Sequence, residues 1–388
     1  PMIQITLSRK SGYRLRSVDT SKKVSFSKNR MLKSIVSRRE FLKESAIGAA
    51  ALMFSPFKFQ TQPAQFPESG KLGRVTVGMA EIKGKPDADS STIGKVYEDA
   101  VVPWLWEVVG RRPFRRNQRW VETSQGFIWA AYLQPVKNLP NSPANILPTN
   151  RLGIGFWAEI TVPFVDVILA NPPARSPWLK EDQTPRLYYS QVFWIDQIKR
   201  DDQGQVWYRV NERYGYGDIF WAKAEAFRPL TAEEIAPIHP EVVNKRVVVH
   251  IAHQTISCFE GKEEVYFALV STGIQEDMYG KKTEWGTPLG VRPIWRKLIS
   301  VHMSGGTTGG GYDLPGVSWT SLFEGNGVAI HSTFWHNNFG EQMSHGCVNA
   351  SPEDAKWVFR WANPVVSYDP GDLTIGMPGG TQVEVVES

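Results

Sequence analysis

Cysteine is nearly missing from this chain: 388 residues contain only Cys258 and Cys347. That excludes a disulfide scaffold and a cysteine-built zinc or iron–sulfur centre. Histidine is scarce as well. All seven lie at or beyond His239, which confines conventional nucleophile-and-base chemistry to the last third of the chain. No apolar stretch approaches the roughly 20 residues a membrane-crossing helix needs; the run Ala46 to Phe54 has nine. Neither His-Glu-x-x-His nor Cys-x-x-Cys occurs. The glycines between Gly305 and Gly311 are not followed by Lys-Ser/Thr, so they do not form a nucleotide phosphate loop. A sequence pI near 9.0 suggests a polyanion partner until the charges are located. Residues 1–44 hold 12 Lys/Arg and 3 Asp/Glu, a balance of +9, and the whole chain is only +5. The remainder is therefore −4, and a nucleic-acid-binding reading loses its support.

What the basic segment does hold is Ser37-Arg38-Arg39-Glu40-Phe41-Leu42-Lys43 followed by the apolar run. This order is that of a twin-arginine signal, with charged and hydrophobic regions in sequence. Residues 1–65 are accordingly expected to be a basic leader that directs export to the cell envelope, periplasm or wall. Met31 is the better-placed start. No clean Ala-x-Ala marks cleavage, and no Cys follows the run to carry a lipid.

Between Leu72 and Val136, and again from about 150 to 230, short β-prone runs alternate with Gly and Pro. Strands this short and closely spaced predict small barrels or sandwiches. Val206-Trp207-Tyr208-Arg209-Val210 parallels Arg119-Trp120-Val121-Glu122, and Gly217 to Ala222 parallels Gly126 to Ala130, as in a divergent duplication. Both units, 71–138 and 150–230, resemble bacterial SH3-like domains. Trp104, Trp106 and Trp129 line a peptide groove in one reading and are core residues in the other. Pro/Asn-rich residues 140–148 and the stretch 229–240 read as linkers.

A third region, 241–388, opens with strands around Val247–Val249, Ile256–Phe259 and Val265–Val270. Cys258 sits in an alternating apolar strand and reads as a small buried side chain. Gly327 to His331 is a strand that delivers His331 at its end. Ser351-Pro352-Glu353-Asp354 then reads as a capped helix start, with Ala355, Val358, Phe359 and Ala362 facing inward and Asn363-Pro364 as the stop. Gly-rich Met303 to Gly311 reads either as a flap or as a plain surface loop.

Between strand and helix lies Ser344-His345-Gly346-Cys347-Val348-Asn349, with His331 sixteen residues before Cys347. An imidazole near a thiol can accept its proton and return it to a leaving amine. A short polar loop with glycine can turn successive N–H groups toward one point. His331, Ser344-His345-Gly346-Cys347 and Asn349 together resemble the signature of the L,D-transpeptidase catalytic-domain (YkuD-like) family. The strand ending Ser271-Thr272-Gly273 and the Thr287-Pro288-Leu289-Gly290 element resemble its earlier parts. The resemblance implies a mainly β protein, with two small SH3-like barrels ahead of a β-sandwich catalytic domain carrying one short helix after the catalytic Cys. It implies Cys347 as nucleophile, His331 as base, and the Ser332 carbonyl orienting the imidazole. The backbone N–H groups of His345, Gly346 and Cys347 become the oxyanion hole. Ser344 and Asn349 brace the loop, while Trp335, Asn337 and Phe339 are expected either to meet substrate or to support the loop. His336 stands outside the signature and reads as a loop histidine in preference to a second base. The implied reaction joins peptidoglycan stem peptides, donor and acceptor, in a 3→3 link with loss of terminal D-Ala, without metal or other cofactor, and with carbapenems as inhibitors. An L,D-carboxypeptidase, a general cysteine peptidase and a non-catalytic wall-binding protein are the alternatives. Zinc on His331, His336 and His345 is disfavoured for want of a ligand motif.

Overall fold

Valine, isoleucine and aromatic runs broken by glycine and proline suit pleated, half-buried strands better than helices, and the chain follows them. The computed structural model describes residues 66–181, 185–276, 279–305 and 312–388. The leader, its Arg38-Arg39 motif and residues 306–311 of the Gly-rich stretch lie outside the described residues. From residue 65 onward the chain packs as a single unit made of three β regions.

In the first region Leu72–Val75 runs antiparallel between Val101–Pro103 and Leu133–Val136. Beside it stands a five-stranded sheet in the order Thr92–Tyr97, Met79–Lys83, Gly126–Trp129, Arg119–Thr123, Trp106–Val109. Val75, Ile82, Trp104, Val121, Ile128 and Leu133 fill the space between. The three tryptophans part company here. Trp104 is core, Trp106 is 71% exposed, and Trp129 is half-buried with its Nε1 donating to the Asn117 carbonyl at 2.9 Å. They do not form one aromatic groove.

The second region is larger than its expected counterpart. Seven antiparallel strands make one sheet, ordered Arg186–Tyr188, Phe164–Leu169, Ile219–Lys223, Val206–Asn211, Val192–Arg200, Phe156–Ile160, Phe227–Pro229. The local echo is real even so. Arg119–Thr123 and Gly126–Trp129 lead into a 3-10 turn, Ala130–Tyr132, and then Leu133–Val136; Val206–Asn211 and Ile219–Lys223 lead into Ala224–Ala226 and then Phe227–Pro229. The residues before the two turns have nearly equal dihedrals, −63° and 126° at Trp129 against −60° and 124° at Lys223. The stretch 229–240, read as a linker, carries one 3-10 turn, Glu233–Ile235.

The third region is a sandwich of two five-stranded sheets. One is ordered Glu263–Leu269, Thr255–Glu260, Lys245–His250, Gln382–Val386, Gly290–Pro293; the other Val348–Ala350, Ala329–Ser332, Tyr312–Leu322, Arg296–Gly305, Asp372–Thr374. Val247, Val249 and Ile256 of the first meet Ile299, Trp319 and Ile330 of the second in one core. Cys258 belongs to that core as a free thiol, and burial pushes its pKa up. Trp157 and Trp194 of the second region enter the same core, edge to face at 5.4 Å. The second and third regions thus share apolar interior and do not hang on a flexible joint.

Pro352–Trp361 is the one helix of this sandwich among the described residues. Ser351 Oγ accepts from Asp354 N–H at 3.1 Å, Pro352 occupies the first turn, and Val358 and Phe359 are buried. Its far end is closed by a residue that sequence reading did not single out. Lys297, 1% exposed, donates to the carbonyls of Phe359 (2.5 Å), Ala362 (2.6 Å) and Pro364 (2.8 Å), satisfying acceptors a helix end leaves open.

Candidate active site

Parallel pairing of Ala329–Ser332 with Val348–Ala350 creates the site. The register sets His331 beside Asn349, which brings Cys347 level with Ala329. Residues two apart on a strand share a face, so Cys347 and His331 project to the same side, one diagonal step apart. Parallel neighbours require a crossover, and residues 333–347 supply it as loop. The sixteen-residue spacing is Ser332 plus the fifteen residues of that connection.

The cavity on this face has a volume of about 360 Å³. Cys347, His331, His345, Ser344 and Asn349 line it together with Trp335, Met303, Tyr312, Leu314 and Met343. None of these side chains carries a permanent charge. Asn337 and Phe339, grouped with Trp335 in the sequence reading, do not line it. Both are buried, Asn337 donating to the Ala130 carbonyl at 3.2 Å and Phe339 packing on His336, so their part is loop support.

His331 is 2% exposed and its Nδ1–H donates to the Ser332 carbonyl at 2.9 Å. That bond leaves the lone pair on Nε2. Burial drives the imidazole pKa down to about 4, with the Ser332 bond opposing only in part. Burial likewise pushes the Cys347 thiol up to about 11, against a hydrogen bond from Ala329. Its Sγ lies 3.8 Å from the Gly327 carbonyl, and among the described residues no hydrogen bond joins it to His331. At neutral pH both groups are therefore uncharged. The pair is poised to move a proton during attack instead of storing a thiolate.

The loop around the thiol is held from three directions. Ser344 Oγ donates to the Cys347 carbonyl (2.5 Å) and accepts from Gly346 N–H (3.2 Å). Thr287 Oγ1 donates to the Gly346 carbonyl and accepts from Gly273 N–H, both at 2.8 Å. Ser271 exchanges backbone bonds with Asn349 at 2.8 and 2.9 Å. Gly346 has φ +120°, a region L side chains avoid, and a Cβ on Gly273 would stand 1.9 Å from the Trp285 carbonyl oxygen. His345 lies between the rings of Trp285 (4.4 Å) and Tyr312 (5.3 Å). Of the three backbone donors expected at an oxyanion hole, Gly346 N–H is already bonded to Ser344; those of His345 and Cys347 are the remaining two.

His336 is a buried brace. Its Nδ1 accepts from Asn338 N–H at 3.2 Å, and its Nε2 lies 3.0 Å from Asn349 Nδ2. Burial, and then His331, take its pKa down to about 3. Among the described residues no group of three or more His, Cys, Asp or Glu could hold a metal. Sequence reading missed Trp285, Tyr312 and Met343, aromatic or sulfur-bearing residues without a motif of their own. Thr287 was visible as the head of Thr-Pro-Leu-Gly, although its bond to Gly346 was not.

Comparison with known proteins gives a family match, the L,D-transpeptidase catalytic domain (YkuD), over residues 244–385. The chain is 23% identical to a Cys-to-Ser variant of Enterococcus faecium L,D-transpeptidase, covering 38% of this chain and 52% of that one, with a TM-score of 0.28. The chain thus spans about half the length of that structure. An L,D-transpeptidase from Mycobacterium smegmatis is 20% identical over 50% of this chain and 98% of that one, TM-score 0.29. One solved in complex with imipenem is 16% identical over 65% and 100%, TM-score 0.29. No curated protein matches the chain.

Proposed function

We propose that the protein is an L,D-transpeptidase that acts on peptidoglycan stems through a thioester on Cys347. The observation that carries this reading is the parallel pair: it directs Cys347 and a tautomer-locked His331 to the same face of one uncharged cavity. The family match over 244–385 supports the substrate class.

As Cys347 Sγ attacks the carbonyl of the third stem residue, His331 Nε2 takes the thiol proton. Charge growing on the carbonyl oxygen meets the N–H groups of His345 and Cys347. The tetrahedral centre collapses, the C–N bond to D-Ala breaks, and the imidazolium returns its proton to that amine. A side-chain amine of a second stem then attacks the thioester, loses its proton to His331, and releases the thiol with a 3→3 link. Water in place of the amine gives carboxypeptidation. A carbapenem acylates the same sulfur by opening its β-lactam ring. The Arg38-Arg39 motif and following apolar run support action in the cell envelope.

Incubation with a disaccharide tetrapeptide, read by mass spectrometry, tests the proposal. A cross-linked dimer with loss of D-Ala is the expected result, abolished in Cys347→Ala. Tripeptide alone means hydrolysis dominates. No turnover together with no carbapenem adduct on Cys347 overturns the reading.

A further inference from the structure

Loop 333–341 contributes Trp335 to the cavity, and it is tied to a region more than 200 residues earlier. Arg74, 3% exposed, donates through Nη2 to the Phe334 carbonyl at 2.7 Å. Its Nη1 and Nε are held by Asp99 (2.8 Å) and Gln134 (3.0 Å), and its guanidinium stacks on Tyr188 at 4.0 Å. Tyr188 in turn lies nearly parallel to Phe334, centroids 5.6 Å apart. Phe334 packs edge-on against Trp335 (5.0 Å), and Trp335, a cavity residue, packs on His331 (5.8 Å). Two further bonds fix the same loop: Asn117 Nδ2 to the Asn337 carbonyl (3.1 Å) and Arg116 N–H to Glu341 (2.9 Å).

All three guanidinium nitrogens are engaged: Nη2 holds the backbone carbonyl three residues beyond the base, while Nη1 and Nε fix the guanidinium on Asp99 and Gln134. An ordinary interdomain ion pair would not need that geometry, since Asp99 already has Arg186 at 2.9 Å. We propose that Arg74 is a positioning residue for His331 and Trp335, so that residues 72–136 are a working part of the active site. The inference rests on the acyl-transfer reading above for what the positioned groups do. Arg74 touches neither substrate nor the reacting atoms.

The test uses the full chain with Arg74→Met, Arg74→Lys and, as a control, Arg228→Met. Arg228 joins Glu159 to Glu234, which also binds Lys356 of the helix, so its loss weakens a contact remote from loop 333–341. Imipenem acylation of Cys347 is followed by intact mass, and the pH midpoint of Cys347 alkylation by iodoacetamide is measured alongside. In Arg74→Met the maximal acylation rate should fall at least tenfold, with half-saturation within about threefold; Arg74→Lys, which keeps one donor for Phe334, should recover part of it. Arg228→Met should lower only the melting temperature. Equal rates in wild type and Arg74→Met, or equal losses in Arg74→Met and Arg228→Met, overturn the proposal. Should Arg74→Met not fold, Arg74→Lys is decided by the same comparison. If the wild type takes iodoacetamide at Cys347 but neither reacts with imipenem nor turns over the tetrapeptide, the acyl-transfer reading fails. Arg74 is then judged by the alkylation midpoint alone: a shift of half a pH unit or more sustains positioning, and an unchanged midpoint refutes it.

Discussion

Raising the thiol to about 11 and lowering the imidazole to about 4 fixes how the protein should respond to pH. With a pKa near 11, about one thiol in a thousand is thiolate at pH 8, against roughly a quarter for an ordinary thiol near 8.5. Iodoacetamide needs the thiolate. Alkylation of Cys347 should therefore run about 200-fold slower at pH 8 than that of a free cysteine, rising close to tenfold per pH unit up to about pH 10. Acylation by imipenem should behave differently, because neutral His331 deprotonates the sulfur during attack. At pH 5.5 a base of pKa 4 is about 97% neutral, whereas one of 6.5 is only about 9% neutral. Acylation at pH 5.5 should keep over nine-tenths of its pH 7 rate and fall away only as pH drops through about 4. Stopped-flow acylation and intact-mass alkylation from pH 4 to 10 check both limbs. An alkylation limb near pH 7, with acylation lost around pH 6.5, would mean a stored thiolate–imidazolium pair and refute the reasoning.

Gly273→Ala should collapse the loop support, since its Cβ meets both the Trp285 oxygen at 1.9 Å and Gly346 Cα at 2.9 Å; acylation is expected to fall at least about tenfold, the strain being of the kind that costs roughly 1–3 kcal/mol or more, and its rate against wild type is the check. Lys297→Met strips donors from three carbonyls, each worth about 1–3 kcal/mol when orphaned. Allowing for the better burial of methionine, urea unfolding should show a loss of about 3 kcal/mol. His302, for which burial is outweighed by bonds to Glu212 and Asp313 (both 2.5 Å), has a raised pKa. Its stabilisation is full below the unfolded value near 6.5 and is lost as pH rises through the raised folded value. The melting temperature of His302→Gln should lack that alkaline decline. His331 and His336 act in the opposite sense, with stabilisation present above about 6.5 and lost as pH falls toward about 4 and about 3.

The strands, the capped helix, buried Cys258 and the family signature were all legible, because each depends on neighbours close in sequence: alternation around Val247–Val249, Ser351 three residues from Asp354, His331 on the last strand before its crossover. What stayed hidden depends on partners far apart. Asn337 looked as ready to meet substrate as Trp335 does, and only the Ala130 carbonyl, 207 positions away, turns it inward. Lys297 carries no local signal of the helix end it closes, whose carbonyls lie more than sixty positions away. The second β region looked like a copy of the first because the shared strand–strand–turn–strand order is local, while the extra strands that widen its sheet carry no internal repeat.

Strand Gln382–Val386 lies between Lys245–His250 and Gly290–Pro293, parallel to the former and antiparallel to the latter. Its neighbours precede it by about ninety residues or more, so on a ribosome they emerge with a slot between them that stays open until nearly the whole sandwich has been translated. Two hydrogen-bonding edges are exposed meanwhile, each able to recruit a strand from another nascent chain. Pairings this distant close slowly. Synthesis rate and chaperone supply should therefore govern the yield of soluble protein more than the stability of the finished fold does.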